Sequence, residues 1–325
     1  MVYSEVLCEM GAEVVKTISV LLAAYQGEKY LPEQLDSLTA QDDGAFRVLM
    51  QDDGSADGTM ALLQKQTEQD GRFVMANVQG GHRGAKGNFW SLLAQDDAPY
   101  TALCDQDDVW ARDRLSRCRK AMEAAEAQYG ADVPLLVHSD CCVTDESGSA
   151  LHESFFAHQG WDKNASSLRR LLVQNNVTGC TMLMNAPLRR LAVRFGNPET
   201  MFMHDWFLAL TAAAFGHVVF VDAPLVRYRQ HGKNVQGASR SGLIARGIKA
   251  LGMMKRGKER IALTYRHTRA FRDAYGNALP EKAAAIIEQY LATERRNKFS
   301  RVIAVQRGEY RMQSTVTRAG QIFFG

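Results

Sequence analysis

Thr17-Ile18-Ser19-Val20-Leu21-Leu22-Ala23-Ala24 is a β-branched and apolar run closed by Tyr25-Gln26-Gly27. A short, nearly continuous apolar run that stops at a turn is the pattern of a strand buried on both faces, as parallel sheets require. A helix follows it. Pro32 falls in the first turn, where a missing N–H costs nothing, and Leu31, Leu35 and Leu38 recur at helical spacing. Residues 46–50 predict a second strand, Asp52-Asp53-Gly54-Ser55 its turn, and Asp57 the cap of a helix reaching residue 69. The pattern then repeats: a strand over 73–78, a Gly-rich turn over 80–87, a helix from Asn88 and a strand over 100–104. Strands alternating with single helices predict an α/β protein, a Rossmann-like, mostly parallel sheet with helices on both faces. Ligands of such sheets lie beyond the carboxyl ends of the strands, so Tyr25, Asp52 and Asp105 should gather in one crevice.

Working outward, residues 135–138, 177–184 and 218–221 resemble strands and 205–215 a buried helix. The 325 residues, 46% hydrophobic, suffice for one large core or two modest ones, and exclude collagen-like or wholly disordered chains. The net charge of +3 conceals a division: residues 1–239 carry −9 and residues 240–325 carry +12. A concentrated basic face attracts phosphates, anionic lipid or nucleic acid. The six cysteines, Cys8, Cys104, Cys118, Cys141, Cys142 and Cys180, show neither zinc-ligand spacing nor a disulfide framework. Glu5, Glu9 and Glu13 interrupt the amino terminus, which argues against a secretory signal, and no window holds the roughly 18 apolar residues of a spanning helix. A cytoplasmic protein is expected, at most peripheral to the inner face of the cell membrane.

Asp105-Gln106-Asp107-Asp108 crowds three carboxylates past an apolar strand. Such crowding repels itself unless a cation neutralises it, and Mg2+ or Mn2+ bridging to a diphosphate is a natural occupant; a solvated acidic turn is the plainer alternative. Asp52 stands nearest its strand end, where it could accept the imide N–H of a pyrimidine, although the segment taken alone is a turn. The cationic loop 80–88, with Arg83 and Lys86, could lie against phosphates or be a surface loop. It has no P-loop spacing and no Gly-x-Gly-x-x-Gly opens the first helix, so kinase and dinucleotide readings lose support. Asp205, between His204 and Trp206, is either a helix cap or a general base beside an acceptor hydroxyl walled by Trp206. Arg227, Arg229 and His231 alternate along an extended segment that is either a charged strand edge or a face for a diphosphate and its metal, His231 being the sharper ligand candidate.

Taken together, residues 18–27, 51–59, 105–110, 204–206 and 228–232 resemble family 2 glycosyltransferases of the GT-A fold, closest in flavour to the rhamnosyltransferase-like group of bacterial surface polysaccharide synthesis. The resemblance implies a catalytic domain over 17–237 with a nucleotide-binding half to about residue 110 and an acceptor half beyond it; this leaves an N-terminal extension (1–16) and, read from its charge and helical pattern, a basic helical C-terminal region (238–325). It implies that Ala24, Tyr25 and Glu28 line the nucleotide pocket with Arg83, Lys86 and Gln106, that Asp52 binds the base and that Asp105 faces the ribose or sugar. Asp107 would ligate the metal with His231, and Asp108 would stand alongside. Trp110, Gly179, Cys180, His204, Trp206 and Arg229 would meet the acceptor or the phosphates. Asp205 would be the base of an inverting transfer from a dTDP or UDP sugar, with rhamnose the sugar indicated, to a glycan or lipid-linked acceptor. His204 stands where many relatives carry Glu, which leaves Asp205 alone as the base.

The amphipathic segment 242–258 of the basic tail predicts either contact with an anionic membrane surface or a helical subdomain packed on the core. Nucleic acid is not an expected partner, since no zinc-finger spacing or RNA-binding aromatic motif accompanies the charge. A sugar nucleotidyltransferase and a non-catalytic glycan-binding scaffold are the rival functions. The first lacks its Gly-rich basic signature in residues 21–27, and intact acids at 105, 107 and 205 speak against the second.

Overall fold

The computed structural model describes residues 15–77, 82–231, 248–307 and 310–324. Its centre is β1 (Ile18–Ala24), flanked in parallel by β2 (Phe46–Asp52) and β4 (Tyr100–Asp105), with β3 (Phe73–Met75) parallel to β2. The register sets Ala23 opposite Gln51 and Asp105, so the ends of three strands deliver their loops to one edge. The connecting helices are α1 (Leu31–Thr39), α2 (Thr59–Gln69) and α3 (Gly84–Gln95).

Beyond β4 the direction changes. β8 (Met182–Asn185) is antiparallel to β4, β6 (Leu135–Thr144) antiparallel to β8, and β9 (His217–Arg229) parallel to β6. Short strands β5 (Val109–Trp110) and β7 (Ala150–His152) pair antiparallel with β9 and β6. α4 (Arg114–Tyr129), α5 (Phe155–Gln159), α6 (Leu168–Leu171), α7 (Ala186–Phe195) and α8 (His204–Phe215) pack around this half.

Side-chain alternation along β1 builds two cores. Ile18, Val20, Leu22 and Ala24 join Leu31, Leu35, Leu63, Leu115 and Met122 from α1, α2 and α4 on one face. Leu21 joins Phe89, Leu92, Leu188 and Phe207 from α3, α7 and α8 on the other. The expected helices on both faces follow from this, because a strand with no polar side has to be covered twice.

Several expected boundaries move: the strands expected over 135–138 and 218–221 run on as β6 and β9, the one expected over 73–78 is described as strand only over Phe73–Met75, and three further shifts have a visible cause. The helix expected from Asn88 starts at Gly84, since the Asp53 carboxylate accepts the amide hydrogens of Arg83 and Gly84 from across the sheet end. The strand expected over 177–184 is a single 3-10 turn at Gly179–Thr181 before β8, tightened by the Thr181 hydroxyl donating to the Thr178 carbonyl at 2.7 Å. Asp57 lies one residue before the cap of α2, where Oδ1 accepts from the Thr59 amide at 3.1 Å.

The basic C-terminal region forms α9 (Ile248–Tyr275), α10 (Glu281–Glu294), α11 (Lys298–Arg307) and α12 (Thr315–Phe324). Phe271 and Tyr275 pack on Phe207 with ring centroids 5.5 and 5.7 Å away, the Tyr275 and Thr211 hydroxyls share a 2.8 Å hydrogen bond, and His267 lies 4.5 Å from Trp206. The described part of this region is therefore continuous with the second core. The boundary expected near residue 237, residues 242–247 of the amphipathic segment, Cys8 and residues 1–14 lie outside the described residues, as do residues 80 and 81 of the cationic loop. Cys104, Cys118, Cys141, Cys142 and Cys180 are free and buried. Among the described residues no helix is long and apolar enough to cross a membrane.

Candidate active site

A cleft opens over the carboxyl ends of β1 and β4. Ala24, Tyr25, Asp105, Gln106, Asp107, Gly179, His204, Asp205, Trp206 and His231 line it together. The β1 loop reaches this position through Gln26, which adopts a positive φ of 51°, and through Gly27, where a Cβ would fall 2.1 Å from the Gln106 side-chain oxygen. Gln106 ties the two loops by accepting from the Tyr25 amide at 2.8 Å and donating to the Tyr25 carbonyl at 2.7 Å. Tyr25, 43% exposed, lines the cleft and faces His82 with ring centroids 4.4 Å apart.

The two carboxylates after β2 divide differently from expectation. Asp52, expected to meet the base, does not line the cleft; its oxygens accept from the amides of Gly54 and Ser55 and the Ser55 hydroxyl, which closes the turn. Asp53 lines the cleft and holds Arg83 and Gly84 by their amides, with His82 at 2.9 Å. Two more expected contacts act on neighbouring chain. Glu28 accepts from the Gly58 amide at 3.0 Å, and Lys86 donates to the Met201 carbonyl at 3.0 Å.

At the acidic centre, His231 Nε2 and Asp107 Oδ2 converge at 2.7 Å, with Tyr30 stacked 5.0 Å from the imidazole. Arg229 does not line the cleft. Its guanidinium donates to the carbonyls of Asp107 and Glu146 and pairs with Glu33, so it positions the Asp107 loop. Burial, with the charges of Asp107 and Asp205, pushes the Asp105 carboxyl up to about 7. Asp108 is buried below, its carboxyl raised by burial and by Asp107 and Asp105, and it accepts from the Arg229 amide at 3.2 Å. Asp105, Asp108 and Cys180 Sγ lie within 4.8 Å of one another, close enough to hold a metal ion; burial and the two carboxylates raise the thiol well above its ordinary value, and the two carboxylates are the donors better suited to an oxygen-preferring ion. Asp107 and His231, which line the cleft with Asp105, offer an oxygen and a nitrogen of the kind a divalent cation takes.

Asp205 opens α8, where Oδ1 accepts from the Trp206 amide at 2.6 Å. Burial pushes its carboxyl up to about 7, against the lowering effect of hydrogen bonds from the Trp206 and Gly179 amides. Gly179 allows the close approach: a Cβ there would lie 3.3 Å from His204 Nε2 and 3.6 Å from Asp205 Cβ. His204 is buried on Phe89 with neither ring nitrogen hydrogen-bonded, and burial followed by the Lys86 charge lowers it to about 4, so it is neutral. Trp206 anchors to the Leu171 carbonyl through Nε1 at 2.6 Å.

Two expected acceptor contacts are in the core instead. Trp110 is buried under the Arg114 guanidinium, 3.4 Å from its ring, and its amide donates to Ser37. The Cys180 carbonyl accepts from Arg114 at 2.7 Å. Their apolar or turn-forming character gave no sign of which way each side chain faces. The cleft also includes Asp53 and Tyr228, which lie in the quoted motifs without an expected role, and, outside those motifs, Tyr30, Trp161 and, from α9, Arg260 and Thr264. Arg260 could be found only by folding, since it is 55 residues from Asp205 in the chain.

The family model described as "Glycosyl transferase family 2" matches residues 19–191, more than half of the chain. The chain belongs to glycosyl transferase family 2. Among its family 2 relatives, the dTDP-rhamnosyl transferase RfbG of Shigella flexneri is 24% identical over 231 residues, 67% of this chain and 74% of that protein. The putative glycosyltransferase EpsH of Bacillus subtilis is 25% identical over 221 residues, 66% of this chain and 61% of that protein. Among solved structures, TarS 1–349 of S. aureus in complex with UDP superposes with a TM-score of 0.56 at 15% identity, covering 95% of this chain and 88% of that one. In the longer TarS structure this chain spans 54% of the length. That likeness shows the GT-A fold. Family membership excludes the nucleotidyltransferase alternative, and the matched segment ends before α8, so the place of Asp205 rests on geometry.

Proposed function

We propose that this family 2 glycosyltransferase moves a sugar from a pyrimidine nucleoside-diphosphate donor to a hydroxyl of a growing surface glycan or lipid-linked saccharide, inverting the anomeric centre. One observation carries the reading: Asp105, Asp107, His231 and Asp205 share a single cleft with the Tyr25 face. Tyr25 offers a stacking surface for the base, and Asp105 stands at the end of β4 where the ribose and sugar would pass. Asp107 and His231 would hold Mg2+ or Mn2+, which when bound supplies positive charge against the diphosphate. Asp205 takes the proton from the acceptor hydroxyl as its oxygen bonds to the anomeric carbon, and the bond from that carbon to the phosphate oxygen breaks, releasing the nucleoside diphosphate. A base whose pKa lies near 7 is matched to that task. Trp206 and Trp161 wall the acceptor end.

The similarity to the dTDP-rhamnosyl transferase RfbG favours dTDP-rhamnose, and the complexes of TarS with UDP and with UDP-GlcNAc favour the pyrimidine class. A thermal-shift panel of UDP, dTDP and GDP sugars, with and without Mn2+, tests the donor. Stabilisation by one pyrimidine class that depends on the cation supports the reading. A purine preference, or no response to any nucleotide, refutes it. The enzyme is proposed to work at the inner face of the cell membrane, where lipid-linked acceptors are presented.

A further inference from the structure

Phe299 is 77% exposed, more than any other large apolar side chain among the described residues, and it sits in the first turn of α11. Ile303, 36% exposed, is one turn on, and exposed Arg307 one turn further, so the three share a face by their spacing of four. Exposed Arg295, Arg296 and Lys298 precede or open the helix. Residues 295–307 contain five Lys or Arg and no Asp or Glu. The opposite side of α11 is already occupied, with Val305 buried in the core that includes Tyr265 and Tyr290. Asn297 fixes the helix start, its side-chain oxygen accepting from the Ser300 amide at 2.9 Å.

We propose that this outward face of α11 docks the protein on an anionic lipid leaflet, with Phe299 and Ile303 entering the boundary between headgroups and acyl chains and the flanking cations against the headgroups. An apolar pair bounded by cations, in a segment with no Asp or Glu of its own, is complementary to a surface that is apolar just below a negative layer. The inference gives the peripheral location proposed above a definite contact surface, and does not depend on the chemistry of the cleft. It names a surface other than residues 242–258, for which the sequence left membrane contact and packing on the core as alternatives.

Flotation of the full chain with mixed phosphatidylglycerol–phosphatidylcholine vesicles, against pure phosphatidylcholine, reads the docking directly. The wild type should float with the anionic vesicles only, and release as salt is raised. Combining Phe299→Ser with Ile303→Ser should lower partitioning by about tenfold. Combining Arg295→Gln, Arg296→Gln and Arg307→Gln should lower it by about a hundredfold. Both variants should keep the wild-type nucleotide thermal shift, which separates loss of docking from loss of fold or cleft. Absence of wild-type flotation, or wild-type partitioning by either variant, overturns the proposal. A dimer by light scattering that the Phe299→Ser, Ile303→Ser variant disperses also overturns it, because the face would then join two copies of the chain.

Discussion

Replacing Asp205 by Asn should make the protein more stable and less active at once. Burial holds this carboxyl up to about 7, from an ordinary 3.8. A group whose pKa is raised on folding binds more protons in the native than in the unfolded state between those two values, so its contribution falls as pH rises through that window. The shift is about 3 units, and at roughly 1.4 kcal/mol per unit the ionised side chain costs up to about 4 kcal/mol at neutral pH and above. Asn is neutral and keeps a carbonyl to accept from the Trp206 amide, so that cost disappears. The gain over wild type should therefore be nearly absent close to pH 4, grow between pH 4 and 7, and stay level above pH 7. Denaturant unfolding of both proteins across that range measures it, and thermal denaturation at pH 7.5 should show a midpoint higher by a few degrees. Turnover should fall by about 10² to 10⁴, the usual worth of a positioned base, with nucleotide binding unchanged. Near-normal turnover would remove Asp205 as the base, and a stability difference independent of pH would refute the electrostatic argument.

Asp107→Asn should abolish the cation-dependent part of nucleotide binding, seen as a loss of the Mn2+-dependent thermal shift, while the folded baseline stays unchanged. Gly27→Ala should force the Gln106 amide out of its two bonds to Tyr25, since the new Cβ would lie 2.1 Å from the Gln106 oxygen. A destabilisation of about 1 to 3 kcal/mol and weaker nucleotide affinity are expected by calorimetry. Deleting residues 248–325 would strip Phe271, Tyr275, Ile287 and Tyr290 from the core against Phe207. Since each large core side chain is worth about 2 to 5 kcal/mol and a domain's stability is about 5 to 15, the truncated chain should show no cooperative thermal transition.

Much of the nucleotide half is legible locally. The apolar run before Tyr25 can only be a strand covered on both faces, and the alternation with helices of one to three turns leaves few topologies besides a parallel sheet. The Asp105-Gln106-Asp107 segment could be placed at a strand end from its neighbours alone. Residues 111–231 are harder to read because β6 and β9 are long, irregular and paired with register shifts, and because Gly179–Thr181 turns inside the stretch expected to be extended over 177–184.

The strand–helix order of residues 18–105, the clustering of acids at strand ends and the division of charge between the two parts were legible without the fold, because each follows from side-chain periodicity or simple counting over neighbouring residues. Only the tertiary structure decided that Asp53 rather than Asp52 faces the cleft, that Asp108, Trp110 and Cys180 lie beneath it, and that α9 supplies Arg260 to its wall. Neighbouring carboxylates in a turn have identical local chemistry. Which of them meets the cavity depends on whose hydrogen-bond donors arrive from distant chain: the Ser55 turn takes Asp52, and the start of α3 takes Asp53. Burial, and with it the raised pKa of Asp205, likewise comes from packing between segments far apart in sequence.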